Sequence, residues 1–322
     1  MAKLFYNADQ LDSTGDVSVL DTLHSAGFLI PSSCRAGLCH ACLLRADEGD
    51  IPALAQKGLS ETEKRQRLFL GCQCFPVTDM KISTPDASRT VQARLLELSM
   101  LTQDVMRLRL KADVDWFPGQ YTTLWKDASL GRSYSIASHP VRDGFMELHI
   151  KRYPDGMLSR WLAEQVHVGH ELEISLPRGS CFYTETSSHQ PLLLACTGTG
   201  LAPLYGVVQD ALGQGHQRPI HLFAAAGTPD QLYLVHELRL LEQTYSNFHY
   251  YPVCRRNAQP NMQEGDLVEL ISNRYKDLKG WKVFLCGSPM AVKKLQKKCF
   301  LQGASMSDIH ADAFESPLAR SA

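Results

Sequence analysis

Four cysteines have the spacing that most directly indicates chemistry in this chain. Cys34, Cys39 and Cys42 lie close together in SSCRAGLCHACLLRA, and Cys72 stands apart in LFLGCQC. The pattern C-x4-C-x2-C with a distant fourth cysteine is typical of a [2Fe–2S] centre, in which two tetrahedral irons share two sulfides and need four thiolates. A tight loop can supply three thiolates and a separate strand the fourth, and Gly37 would let that loop fold closely around a cluster.

Zinc binding and simple burial are two further roles that these cysteines could have. Structural zinc sites usually combine two close Cys/His pairs, so zinc would require Cys74 or His40 to join the lone Cys72. The thiols could also be plain buried residues. We favour Cys72 over Cys74 as the fourth ligand, because residues 68–70 lead into it like a buried strand. The sequence assigns no firm role to His40 or Cys74.

The composition indicates an ordinary globular chain. Its 322 residues are 44% hydrophobic and 21% charged, and the formal net charge of −1 gives no bias toward nucleic acid. The N-terminal MAKLFYNADQ lacks the apolar segment of a signal peptide. The longest apolar run, residues 191–208, is interrupted by glycine, threonine and proline, so we expect no membrane span. We expect a cytoplasmic protein, in which ten cysteines favour metal or redox chemistry over disulfides.

Around the cysteines, the first part of the chain has the pattern of a small mixed domain. The short strands KLFYN and MKIST lie on either side of a helix-like SVLDTLHSAG. With the cysteine spacing, residues 1–85 resemble a plant-type ferredoxin domain. The resemblance implies a β-grasp fold with Cys34, Cys39, Cys42 and Cys72 as ligands of the [2Fe–2S] cluster.

The middle of the chain has the alternation of an antiparallel sheet or barrel. Segments such as VMRLRLKA, MELHIKR and HELEISLP alternate polar and apolar residues between glycine-containing turns. Within GRSYSIAS, alternation puts Arg132 and Tyr134 on one face and Ser135 on the other, unless the strand ends there. A guanidinium suits a pyrophosphate, a phenol ring can lie against a flat ring system, and a hydroxyl can donate to a ring nitrogen. Taken alone, RSYS is a weak four-residue match, and an exposed strand explains it better.

The surroundings of RSYS favour a cofactor site. FPGQY lies upstream, and downstream Gly156 precedes a helix-like segment that begins at Met157, which is a natural phosphate site. The order FPGQY, RSYS, HIKR, GMLS, PRGS resembles the FAD-binding barrel of the ferredoxin–NADP reductase superfamily, here over residues 91–184. The FAD contacts that this resemblance implies are Arg132 and Ser159 at the pyrophosphate, Tyr134 and Ser135 at the isoalloxazine, and the strand from His149 to Lys151 along the cofactor.

From residue 188 onward, strands and helices alternate, which predicts a parallel α/β sheet. The first strand, PLLLACTG, runs into the turn TGTGLAP. The turn has G-x-G without the full G-x-G-x-x-G fingerprint, but its glycines would let a phosphate approach the backbone at a helix N-terminus. The candidate phosphate-binding residues of this turn are Thr197, Gly198, Thr199, Gly200 and Pro203.

Two further segments fit the same superfamily. CGSP contains Cys286 and Gly287 at the end of a later strand, and residues 188–322 resemble the nicotinamide-nucleotide domain of these reductases. The resemblance places Cys286 near the nicotinamide. In IHADAFESPL it places an aromatic residue, Phe314, over the flavin and an acidic residue, Asp312, nearby. A small buried cysteine and a solvated tail are the alternatives.

Together these segments predict a multidomain α+β and α/β fold, with a β-grasp ferredoxin domain, an antiparallel β-barrel flavin domain and a parallel-sheet nucleotide domain. This order resembles the reductase components of bacterial multicomponent oxygenases. The resemblance implies electron transfer from NAD(P)H through FAD to the [2Fe–2S] cluster and on to a partner protein, an oxygenase component. A nicotinamide gives two electrons at once and the cluster takes one, so the flavin must do both. Ser135, Cys286 and Phe314 would position the reacting atoms.

Our prediction of NADH rather than NADPH as the donor depends on an arginine that this chain lacks. After IHLFAAAG these reductases often have an arginine, where this chain has Ala226, Gly227 and Thr228. We therefore expect NADH as the donor. NADPH is the alternative, because Arg255 and Arg256 follow the next strand and could hold a 2′-phosphate.

Other classes of protein fit parts of the chain. A stand-alone flavin, quinone or ferric reductase would need no protein acceptor, and a reductase serving a deoxysugar 3-dehydrase is a close cousin. A non-catalytic iron–sulfur sensor is a further class, against which the intact RSYS and TGTGLAP motifs argue. The sequence does not separate an oxygenase from other electron acceptors.

Overall fold

The chain forms two compact units, Met1–Arg89 and Thr90–Ala322, which we call the first unit and the second unit. The computed structural model describes residues 2–7, 9–28, 30, 37, 42–59, 63–64, 67–84, 90–127, 130–184 and 187–314. Cys34, Cys39 and His40 lie outside these described residues. In the part of the chain that is described, no helix is long and apolar enough to cross a bilayer.

The first unit is a mixed five-stranded sheet with helix α1. The strand order is β2-β1-β5-β3-β4, in which β1 and β5 are parallel and the other neighbours are antiparallel. The helix begins after Ser18, whose hydroxyl accepts from the amide of Asp21 at 3.1 Å. This is the β-grasp arrangement that the sequence predicts. The elements are β1 Ala2–Tyr6, β2 Asp9–Ser13, α1 Val19–Ser25, β3 Leu43–Glu48, β4 Leu68–Leu70 and β5 Met80–Ser83, with 3-10 turns at Ala53–Gln56 and Gly71–Gln73.

A six-stranded antiparallel sheet forms the first half of the second unit. Its order is β10-β7-β6-β11-β8-β9, and a bridge between Ile136 and Leu148 links the two edges. The sheet therefore closes into the barrel that the alternating pattern predicts, around a core that includes Leu95, Leu108 and Ile150. The elements are β6 Thr90–Met100, β7 Val105–Ala112, β8 Tyr121–Asp127, β9 Leu130–Ser135, α2 Pro140–Asp143, β10 Met146–Lys151, α3 Met157–Gln165 and β11 Glu171–Ser175.

A six-stranded parallel sheet of order β15-β14-β13-β12-β16-β17 forms the second half. Apolar residues cover both faces, as a parallel sheet requires. The carboxyl ends of its strands share one edge, where open sheets of this kind bind their ligands. The elements are β12 Leu192–Thr197, α4 Leu201–Gly213, β13 Ile220–Ala226, α5 Val235–Thr244, β14 Phe248–Cys254, β15 Gln263–Glu264, α6 Leu267–Arg274, β16 Lys282–Gly287, α7 Pro289–Leu301 and β17 Ile309–Ala313, with 3-10 turns at Gly198–Gly200, Pro229–Gln231 and Met306–Asp308.

Three local expectations differ from the structure. The sequence predicts a linker over DASRTVQ, but strand β6 already begins at Thr90. The sequence predicts one helix over PDQLYLVHELRLLEQT. In the structure Leu234 adopts a left-handed conformation (φ 55°), and α5 begins only after it. Residues 309–313 form strand β17 beside β16, so the solvated-tail alternative is wrong for them. The domain limits 1–85, 91–184 and 188–322 stay predictions.

Candidate functional site

The cluster segment of the first unit brings two of the predicted cysteine ligands into neighbouring backbone. The amide of Gly71 donates to the carbonyl of Cys42 at 2.9 Å, which ties the start of β3 to the residue before Cys72. Both cysteines are buried. The side chain of Gln73 reaches back, with Nε2 3.1 Å from the Cys72 carbonyl and 3.7 Å from its Sγ. A thiolate at Cys72 would thus have an amide donor, which fits a cluster ligand.

Cys72 and Cys74 differ sharply in environment. Cys74 is fully buried in the core, with its Sγ 4.0 Å from the Met80 sulfur. Burial raises the pKa of the Cys74 thiol to about 12, as for a sulfur packed in an apolar core. Strand β4 is buried and leads directly into Cys72, as the sequence predicts. The structure therefore favours Cys72 as the fourth ligand. Cys34 and Cys39 lie outside the described residues.

A cleft of about 360 Å³ opens at the carboxyl edge of the parallel sheet. Of the predicted site residues, those that line it are Lys151, Thr197, Gly198, Thr199, Gly287 and Phe314. Tyr153, Arg255, Asp266 and Lys294 line it as well. The cleft thus gathers the glycine turn, the CGSP strand end and the C-terminal aromatic, which are far apart in sequence.

Two glycines allow the walls of this cleft to meet backbone to backbone. A Cβ on Gly200 would collide with the carbonyl of Cys286, and a Cβ on Gly287 (φ +118°) would collide with Thr197. The Thr197 hydroxyl accepts from the amide of Ser288 at 2.9 Å, which holds the two strand ends together. In the described part of the chain, no side chain caps the N-terminus of α4. The amide of its first residue, Leu201, donates to the carbonyls of Gly198 and Thr199, and Pro203 has no N–H. The backbone of Gly198 and Thr199, which lines the cleft, is therefore what the turn offers to a phosphate, and in this way it fits the predicted dinucleotide.

Beside the cleft, side chains from distant segments converge on Ser135. The Ser135 hydroxyl, at the end of β9, donates to the Asp312 carboxylate of β17 at 3.4 Å. Cys286 is the cross-strand partner of Asp312, and its Sγ lies 3.6 Å from the Cys181 Sγ. Burial raises the pKa of Asp312, and burial together with Cys181 raises the pKa of Cys286. The Cys286 thiol is therefore neutral and contributes shape rather than a base.

Apart from Lys151, the barrel residues predicted for FAD lie outside the lining of this cleft. Tyr134 is half-buried, and burial raises its pKa, so the phenol stays neutral and keeps its hydrogen. Arg132 donates to the carbonyl of Gly131 at 2.8 Å. The Ser159 hydroxyl accepts from the amide of Tyr153 at 3.2 Å and lies 3.4 Å from the Gly156 carbonyl, within its own turn.

The start of helix α3 suits a phosphate group better than the Ser159 hydroxyl does. Helix α3 begins after Gly156, and none of the described side chains caps it. Met157, its first residue, is 66% exposed. The open N–H groups of this turn fit a phosphate. Pro203, by contrast, is buried in the first turn of α4, where proline is tolerated, and does not reach the cleft.

His149 and Lys151 occupy different environments on strand β10. The ammonium of Lys151 lines the cleft and lies 3.4 Å from Asp104. The His149 ring is buried away from the cleft, with Nε2 3.0 Å from Glu147 and an edge contact to Tyr233 at 5.2 Å between ring centroids. The structure therefore brings only the Lys151 end of this strand to the cleft.

Sequence reasoning missed several residues of these sites. Gln73 beside Cys72 and Cys181 beside Cys286 match no motif. Asp266 lines the cleft after the short strand β15, which the sequence did not predict. A carboxylate at a helix N-cap after a glycine was the one signal that could have pointed to Asp266.

Three protein families match consecutive parts of the chain. A family described as a 2Fe-2S iron-sulfur cluster binding domain matches residues 9–77, an oxidoreductase FAD-binding domain matches 92–183, and an oxidoreductase NAD-binding domain matches 194–297. The predicted cofactors, a [2Fe–2S] cluster, FAD and NAD(P)H, are therefore confirmed. The glycine turn from Thr197 to Gly200, the uncapped start of α3 and the buried Cys42 and Cys72 fit these three groups.

Similar proteins cover nearly the whole chain. The reductase component of the naphthalene 1,2-dioxygenase/salicylate 5-hydroxylase systems of Ralstonia sp is 30% identical over 307 residues, 92% of this chain and 93% of the relative. The phenol hydroxylase P5 protein of Acinetobacter pittii is 28% identical over 318 residues, 93% of this chain and 90% of the relative. Among solved structures, a cytochrome P450 reductase from Amycolatopsis has a TM-score of 0.69 at 25% identity, over 96% of this chain and 98% of that one.

The fold and both sites thus define a class of protein, a flavoprotein with an iron–sulfur domain and a nucleotide cleft. The chain belongs to the family of three-domain reductases of the ferredoxin–NADP reductase type that serve multicomponent oxygenases. It is an NAD(P)H-dependent electron-transfer oxidoreductase, as the sequence predicts.

Proposed function

We propose that this chain supplies electrons from NADH, through FAD and its [2Fe–2S] cluster, to an oxygenase component in the cytoplasm. The observation that carries the proposal is the convergence of Ser135, Asp312 and Cys286 next to a cleft whose glycine turn fits a dinucleotide. The reductase components of dioxygenase, hydroxylase and monooxygenase systems among the similar proteins support an oxygenase as the acceptor.

The chain's own residues provide binding and orientation. When bound, the three groups supply hydride donation, the division of two electrons and single-electron delivery. Ser135, held by Asp312, presents a hydroxyl to the flavin ring, and Cys286 shapes the nicotinamide position. Phe314 is fixed at the rim because its amide donates to the Gly287 carbonyl at 2.8 Å. In this proposal Phe314 covers the flavin ring until the nicotinamide arrives.

The remaining site residues hold the cofactors in this proposal. Arg132 and the start of α3, at Gly156, Met157 and Ser159, hold the FAD pyrophosphate, and Tyr134 packs on its ring system. Cys34, Cys39, Cys42 and Cys72 hold the cluster. The three domains span 1–85, 91–184 and 188–322.

The test is an anaerobic titration of the purified protein with NADH, followed by visible absorbance. We expect both the flavin band and the iron–sulfur shoulder to bleach, with about three electrons taken up per chain, two by FAD and one by the cluster. Bleaching of the flavin alone would overturn the relay and leave a plain flavin reductase. Adding a purified oxygenase component should then reoxidise the reduced chain, whereas free flavin, quinone or ferric iron should do so more slowly.

A further inference from the structure

One end of the nucleotide cleft carries an arginine and an aspartate whose pairing bears on the choice of nucleotide. In doubly wound sheets the pyrophosphate lies at the turn after the first strand, and the adenosine ribose lies toward the ends of the following strands. Here the first turn follows β12, so the adenosine end lies at β13 and β14, where Arg255 and Asp266 line the cleft. Resting on the function proposed above, we infer that Asp266 makes this chain select NADH over NADPH.

Asp266 is fixed in position by the backbone around it. One carboxylate oxygen, Oδ1, accepts from the amides of Val268 at 2.9 Å and Glu269 at 3.3 Å, as the N-cap of α6. The amide of the preceding Gly265 donates to the Cys254 carbonyl at 3.0 Å. The second oxygen, Oδ2, remains directed toward Arg255 Nη2 at 3.8 Å. The negative charge therefore cannot swing away from the cleft without breaking the cap.

Arg255 is the cation that a 2′-phosphate would need. Its amide donates to the Ala226 carbonyl at 3.1 Å, which anchors it at the ends of β13 and β14. The loop after β13 provides no lysine or arginine from Gly227 to Gln231, and the Gln231 side chain accepts from the Gly227 amide at 3.1 Å. Because Asp266 lies 3.8 Å from Arg255, it offsets the charge that Arg255 would offer to a phosphate at this position.

The other charges near this end are of both signs. Arg256 follows Arg255, with its amide donating to the Gly227 carbonyl at 3.2 Å, and Lys294 lines the cleft. On the negative side are Asp230, in the loop after β13, and Glu264, whose carboxylate accepts from the Ala258 amide at 2.9 Å. NADPH differs from NADH by a 2′-phosphate that carries about −1.5 to −2 charges at pH 7. NADH has a hydroxyl there, which can donate to a carboxylate such as Asp266. The same residue thus favours one nucleotide and repels the other.

The experiment compares 5′-AMP with adenosine 2′,5′-bisphosphate as probes of the adenosine end, by calorimetry on the FAD-loaded protein. The variant Asp266→Asn keeps an oxygen for the cap but removes the charge. We expect it to tighten bisphosphate binding on the order of tenfold, and to weaken AMP binding by about two- to tenfold because the 2′-hydroxyl loses its carboxylate acceptor. The gain should shrink as salt is added, because the site is open to solvent. The ratio of kcat/KM for NADPH over NADH should rise in parallel.

The matched control is Asp277→Asn, which makes the same change of charge at an exposed turn where Oδ1 accepts from the Lys279 amide at 2.8 Å. It should leave the binding of both probes unchanged.

Adding Arg255→Gln to Asp266→Asn should abolish the gain in bisphosphate binding, because the unmasked cation is then lost. Asp266→Ser, which also preserves a cap, serves if the asparagine variant folds poorly. An unchanged ratio of the two probes in both Asp266 variants would overturn the inference. Failure of every nucleotide to bind or to reduce the flavin would instead overturn the proposed function.

Discussion

The first unit and the second unit assemble their sites over very different lengths of chain. In the first unit, the predicted ligands Cys42 and Cys72 are tied together by one backbone contact, in which the Gly71 amide donates to the Cys42 carbonyl. In the second unit, the Ser135–Asp312 hydrogen bond spans 177 positions and the Cys181–Cys286 contact spans 105. A loop that holds a metal cluster can be specified locally. A site for two ring systems needs groups from several strand ends, which only the completed sheet brings together.

The comparison predicts that the two sites can be damaged separately. Substitutions at the cysteines should remove one cofactor and leave the flavin chemistry intact. Substitutions at the strand ends should slow flavin reduction and leave the cluster intact. Each variant below therefore has a readout in both units.

The largest effect is expected from Cys72→Ser. Loss of one of four thiolates should abolish the cluster, because a serine hydroxyl is a poor ligand for iron held by sulfur. Iron content and the iron–sulfur absorbance should fall to the background. Reduction of an artificial dye by NADH should remain close to the wild-type rate, since that reaction needs only the flavin.

Cys74→Ser is the matched control for this variant. It places a hydroxyl in the core beside Met80, which should cost about 1–3 kcal/mol of unfolding free energy. The cluster should nevertheless form, because Cys74 is not among the predicted ligands and its sulfur packs against that of Met80 in the core. A cluster that survives in Cys72→Ser and disappears in Cys74→Ser would reverse the ligand assignment.

The next effect is expected from Ser135→Ala. The change leaves Asp312 without its 3.4 Å donor and removes the hydroxyl next to the proposed flavin position. We expect the rate of flavin reduction by NADH to fall about 10- to 100-fold, the equivalent of losing one to two hydrogen bonds. Stopped-flow absorbance measures this rate, and the cluster content serves as the internal control.

Ser133→Ala is the control on the same strand. Ser133 is exposed, and its hydroxyl lies 3.0 Å from that of Thr123. Its loss should change neither flavin content nor rate. Equal slowing in both variants would mean that strand β9, rather than the Ser135 hydroxyl, carries the effect.

The same contrast accounts for what could be predicted from the sequence. The cluster spacing and the buried strand before Cys72 are local patterns, so both were accessible. Polar–apolar alternation within the strands indicated the barrel, and the alternation of strands with helices indicated the parallel sheet. The contact of Cys181 with Cys286 was not accessible, because it depends on how β16 meets the segment after the barrel. Nor was Asp266, because nothing local distinguishes a helix cap that faces a cleft from one that faces solvent.

The smallest effect concerns His310 on strand β17, next to the proposed flavin site. Its ring stacks on Phe284 at 5.1 Å between ring centroids. Burial, reinforced by Lys282 and opposed by Asp308, lowers the pKa of His310 from 6.5 to about 4. Between these values the unfolded chain binds the proton and the folded chain does not, so stability is lost as pH falls from about 6.5 toward 4. The loss amounts to about 1–3 kcal/mol.

His310→Phe keeps the stacking and removes the titration. Its unfolding free energy, measured by denaturant titration between pH 7 and pH 4 while following flavin release, should fall less steeply than that of the wild type by about that amount. Part of the pH dependence of the unfolding free energy should remain, because burial also lowers the pKa of His221 to about 4. If the unfolding free energy fell equally steeply with pH in the variant and the wild type, His310 would protonate freely in the folded chain. Strand β17 would then be packed less tightly than the structure has it, and the position of Asp312 opposite Ser135 would be loosened with it.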